Sequence, residues 1–179
     1  EIYDPATDDA RTLNPLRGDG GQRACDAAME RMQRIYARFL PPEWCGPVGD
    51  RWTKMIMWPL ARSRLGLDQA QRCRTDDDFR EGLLAHMEEH PIEGDAEVLA
   101  FWRSEYDAMG GTSRSEFVQW ISARTSMFER GRVMRGVFGN SRAPLDIASA
   151  MAEGKVILAK LSVGTLGPVS AYFTGIAMV

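Results

Sequence analysis

The chain has 179 residues, 44% hydrophobic and 26% charged, enough for one domain with a real core. Its net charge of −3 and pI near 5.5 exclude a bulk basic binder of nucleic acid. Cys25, Cys45 and Cys73 are widely spaced and form no C-x-x-C, which excludes a disulfide framework and fits a reducing cytoplasm.

Residues 1–20 read as an extended piece and a loop, with Asp4-Pro5, Asn14-Pro15 and Gly18-Asp19-Gly20-Gly21 as turn signals. A helix is predicted from Gln22, its stripe formed by Ala28, Met32, Ile35, Tyr36 and Phe39, and Pro41-Pro42 stops it. A second is predicted over Val48–Arg64, burying Trp52, Met55, Ile56, Trp58 and Leu60, with Pro59 kinking or splitting it. Gln69–Arg74 reads as a polar connector. Thr75 is the expected N-cap of a helix that opens on Asp76, Asp77 and Asp78, buries Phe79, Leu83 and Met87, and ends at Pro91.

Asp95–Met109 is helical in spacing, through Val98, Phe101, Trp102, Tyr106 and Met109, and Gly110-Gly111 ends it. Ser113 is expected to cap one long helix to Phe138, with Phe117, Trp120, Ile121, Met127, Phe128, Met134 and Phe138 on its buried face. Arg124 and Arg135 fall on or near that face. They must reach solvent, pair with carboxylates or meet a ligand. Asp146 caps a short helix to Ala152, and Gly154 stops it. Lys155–Ser162 is the one convincing strand, apolar on both faces as in a parallel sheet. Ser162–Gly167 reads as a loop and Pro168 opens a last helix. Leu161–Val179 is uncharged but too polar on average for a membrane span.

Charge is unevenly spread. Asp76–Asp107 holds eleven acids against Arg80 and Arg103, and Arg114–Arg142 holds six arginines against Glu116 and Glu129. Two solvated helix faces that attract each other explain this as well as two functional faces do. His86-Met87-Glu88-Glu89-His90 has the H-x-x-E-H spacing of a zinc hydrolase, but His90 precedes Pro91 and no third ligand is evident. Gly18–Gly21 before a helix is a commoner arrangement for a turn than for phosphate binding. No G-x-x-x-x-G-K-[ST] occurs. A lone parallel strand needs partners outside the chain or at its first few residues. The acidic start without Met suggests an excised segment.

The run Ser141-Arg142-Ala143-Pro144-Leu145-Asp146, then Glu153-Gly154-Lys155-Val156-Ile157-Leu158-Ala159-Lys160-Leu161-Ser162, then Gly164-Thr165-Leu166-Gly167 resembles the HerA/TraG-like P-loop ATPases, type IV secretion coupling proteins included. Asp4-Pro5, Asn14-Pro15-Leu16, Asp78-Phe79-Arg80 and Phe101-Trp102 with Tyr106 extend the resemblance over the whole chain. It implies a segment between Walker A and Walker B. The fold class is mainly α with a minor β part: a helical insertion domain attached to an incomplete RecA-like α/β core. Residues 1–20 and 153–179 would belong to that core and 21–152 to the helical region. The resemblance further implies an ATP- and Mg²⁺-dependent DNA pump in the parent, assembled as a ring, a hexamer, with secretion-system proteins as partners. The chain alone would bind neither ATP nor Mg²⁺ and have no catalytic residue. Arg130, Arg132, Arg135 and Arg142 are the expected DNA or subunit contacts. The location would be cytoplasmic, with any membrane anchor outside the chain. A non-enzymatic adaptor using the acidic 76–107 face is the alternative.

Overall fold

Apolar residues repeating every three or four positions bury one side of a helix, and most of this chain has that spacing. A computed structural model describes residues 2–129, 131–140 and 142–178, apart from the side chains of Glu43 and Met127. It is mainly helical.

Helix α1 (Gln22–Phe39) buries Cys25, Ala28, Met32, Ile35 and Tyr36 and stops before Pro41. Helix α2 (Pro47–Arg62) packs beside it and is almost wholly buried from Met55 onward. Pro59 does not split α2. Its missing N–H leaves the Met55 carbonyl free, and the Trp102 indole N–H fills it at 2.9 Å.

The expected polar connector is instead a 3₁₀ turn (Leu67–Gln69) and helix α3 (Ala70–Thr75). Leu67, Ala70 and Cys73 recur every three residues and are buried beneath the polar ones. Thr75 therefore ends α3, and Asp76 caps α4 (Asp77–Glu89) by accepting the Phe79 N–H at 3.0 Å.

Helix α5 (Asp95–Ala100), a π turn (Phe101–Glu105) and α6 (Tyr106–Ala108) form one run. The wider turn sets Phe101, Trp102 and Tyr106 around Phe117. The single helix expected from Ser113 to Phe138 is two: α7 (Gly111–Glu129) and α8 (Arg132–Phe138). Gly131, at φ +82°, turns the backbone where other residues strain. The expected inward side chain of Met127 lies outside the described residues.

Asp146 caps α9 (Ile147–Ala152) by accepting the Ser149 N–H at 2.9 Å, as expected. Val163–Leu166, expected as loop, forms a single turn, α10, ahead of α11 (Pro168–Ala177). Strand β1 (Ile2–Tyr3) pairs in parallel with β2 (Leu158–Ala159), in the register Ile2 to Leu158 and Tyr3 to Ala159. Thr12 bridges Pro144 in the same sense. The partner of the carboxyl-end strand is thus the start of the chain. Among the described residues Leu158 and Ala159 form the ladder and the Lys160 N–H donates to the Tyr3 carbonyl at 2.9 Å, yet the strand is not buried: Val156 is 69% and Leu158 61% exposed.

One hydrophobic cluster joins Tyr3, Leu13 and Leu16 of the leading segment to all the longer helices and to Phe173 of α11. No helix among the described residues is long and apolar enough to cross a membrane.

Candidate phosphate and subunit contact surface

Two of the expected contact arginines face the leading segment. Arg132, the first residue of α8, is 76% exposed and pairs with Asp8 at 2.5 Å. Arg142 is half-buried; it donates to the Thr7 and Ala10 carbonyls at 3.4 Å each and lies over Gly136, where a Cβ would come within 3.0 Å of its guanidinium. Its role is at least partly to hold residues 7–10 in place. Arg135 is exposed, one turn along from Arg132, with a long 3.4 Å bond to the Glu129 carbonyl. Arg130 lies outside the described residues.

A second arginine group lies outside the Arg114–Arg142 block. Arg17, Arg31, Arg34 and Arg38 rim a groove of about 410 Å³ floored by Leu13, Ile35 and Leu145. Arg31, Arg34 and Arg38 recur at i, i+3 and i+7 along α1, a pattern visible in the sequence but overshadowed by the apolar stripe between them. Arg31 is anchored to the Pro15 carbonyl at 2.7 Å and the Arg17 carbonyl at 3.0 Å. Burial, and then the neighbouring charge of Arg34, lower its pKa. None of the four forms an ion pair among the described residues, so positive charge converges on an apolar floor.

Among the described residues no ion pair joins the acidic block to the basic one. Arg51 joins Glu97 (3.3 Å) and Glu105 (2.7 Å), Lys54 joins Glu97 (2.8 Å), and Arg103 joins Glu81 (2.5 Å) and Glu88 (2.9 Å). The Lys54 hydrogen bond is the main reason the Glu97 pKa is lowered. Much of the acidic surface is therefore already engaged within its own half of the molecule.

The histidine pair gathers no ligand set. The His86 and His90 rings stand 5.2 Å apart, Arg64 lines the same hollow, and no group of three metal-ligating side chains exists among the described residues. At the Gly18–Gly21 turn the Gly21 N–H is occupied by Asp19 at 2.8 Å.

No protein family, curated protein or solved structure matches the chain.

Proposed function

We propose that the chain is the helical region and part of the sheet core of a DNA-translocating P-loop ATPase of the HerA/TraG type. The observation that carries the reading is the parallel pairing of Ile2–Tyr3 with Leu158–Ala159. A two-residue parallel ladder is not self-sufficient, and parallel sheets are normally covered on both faces. Here Ile2, Val156, Leu158 and Val163 remain exposed, as strands flanking a helical insertion would be without the rest of a RecA-like sheet. ATP and Mg²⁺ would bind residues of the parent outside this chain. The reading includes a ring, a cytoplasmic location and secretion-system partners.

DNA phosphates or a neighbouring subunit would meet Arg132 and Arg135 together with the Arg17, Arg34 and Arg38 rim. An adaptor docking through residues 76–107 is less favoured, because Glu81, Glu88, Glu97 and Glu105 already hold internal partners.

The gene's flanking codons test the assignment. A G-x-x-x-x-G-K-[ST] should lie upstream of Glu1 and an apolar strand ending in acids downstream of Val179; neither being present would end the reading. In the parent protein, Arg132→Ala with Arg135→Ala should weaken duplex binding at all sequences. It should also flatten the slope of log affinity against log salt by about 0.9 for each phosphate no longer neutralised. An unchanged slope would remove these two residues from the DNA surface.

A further inference from the structure

The side chains of four arginines, Arg62, Arg74, Arg80 and Arg124, are buried. Three have a carboxylate: Asp95 for Arg62, Glu129 for Arg74 and Asp77 for Arg80. Arg124, 2% exposed, has none among the described residues. Its guanidinium donates to the Trp44 carbonyl at 2.5 Å and the Trp120 carbonyl at 3.3 Å, and it stacks against both indoles. Carbonyl dipoles and ring faces soften a buried cation but do not neutralise it. Desolvation accordingly pushes the Arg124 pKa down to about 10, so the group stays charged near neutrality.

Tyr36 lies alongside. It is 5% exposed, and its buried hydroxyl has no hydrogen-bond partner among the described residues. Tyr36 and Arg124 line the same cavity of about 180 Å³, together with Trp44, Thr53 and Trp120. The exposed lining residues Gln33, Ala37 and Asp50 mark its opening. At about 30 Å³ per water the space suits an anion of a few heavy atoms with one or two waters.

We propose that this cavity binds a small oxyanion, a carboxylate or a phosphate, held by Arg124 and Tyr36. One oxygen takes guanidinium N–H groups not given to carbonyls, and a second takes the Tyr36 O–H. The Trp44 and Trp120 rings flank the guanidinium. The site stands independently of the motor reading, since it needs no residue of the exposed arginine surface.

The test titrates sodium acetate and inorganic phosphate into the protein at constant ionic strength set with chloride, reading tryptophan fluorescence and thermal midpoint. Saturable binding of either anion is expected, and the one that binds names the ligand class. Tyr36→Phe deletes only a hydroxyl with no partner among the described residues, so it should fold and bind several-fold more weakly. Arg124→Lys, which keeps charge but loses the planar fork, should bind at least tenfold more weakly. Asp50→Asn, which removes an acid from the rim, should bind more tightly. A response that does not saturate, or is the same in wild type, Tyr36→Phe and Arg124→Lys, is a general salt effect and overturns the site. So does a Glu43→Gln or Asp50→Asn variant that loses as much thermal stability as Arg124→Lys, because the guanidinium would then already be paired within the chain.

Discussion

Asp95, 1% exposed, gathers a cluster of buried hydrogen bonds. Its carboxylate accepts from the Trp58 indole at 2.7 Å, from Arg62 Nε at 3.1 Å and from the Ile92 N–H at 3.0 Å. Arg62 in turn donates to the Gly20 carbonyl at 2.5 Å and to the His90 carbonyl. One ion pair thus ties α2, the loop before α1, the end of α4 and the start of α5. Its net worth against an apolar pair is small, but breaking it strands a buried cation. Asp95→Asn should cost about 3–5 kcal/mol by urea unfolding. Replacing the exposed Glu89 should change little by the same measurement. None of this could be seen in the acidic run 93–97, where Asp95 looks like any solvated carboxylate.

At the scale of elements, local chemistry was legible. Helix α1, the end of α4 and the cap of α9 fall where apolar spacing, Pro41-Pro42, Pro91 and Asp146 place them. The misses have specific causes. Asp76 displaced Thr75 as cap because Thr75 was needed to finish α3, where its hydroxyl bonds the Gln71 carbonyl at 2.9 Å. Gly131 in Arg-Gly-Arg broke a helix that the apolar pattern carried straight through. The two capping carboxylates also set a pH dependence. Backbone N–H bonds, from Phe79 to Asp76 and from Ser149 to Asp146, hold both pKa values below the usual 3.8. A lowered folded value means the stabilisation is present above the unfolded pKa and is lost as pH falls through the folded one. The thermal midpoint should therefore drop below about pH 4. Asp76→Ala should show a shallower acid fall than wild type when both are melted across that range; parallel curves would deny the cap its role.

For the molecule as a whole, the exposed apolar strip is the feature that a second element should cover. Ile2, Val156, Leu158, Val163, Val169 and Tyr172 are each more than half exposed. Such a strip beside the edges of a short sheet promotes association between chains. Leu158→Lys should lower concentration-dependent self-association in sedimentation while leaving the helical circular dichroism unchanged. If the wild-type chain is monomeric at high concentration, the strip is less adhesive than its exposure implies. The one cluster uniting leading segment, helices and α11 explains why the strip can stay open without unfolding the rest.

By itself the sequence determined where most helices begin and end, because caps, prolines, glycines and apolar spacing act over one or two turns. It also marked Arg124 as a charge on an apolar face. Only the tertiary structure decided that residues 2–3 pair with 158–159, that Arg62 belongs to Asp95, and that Arg17 joins Arg31, Arg34 and Arg38 around one groove. Those meetings join positions far apart along the chain. They arise from packing the whole core, which leaves no periodic trace in the order of residues.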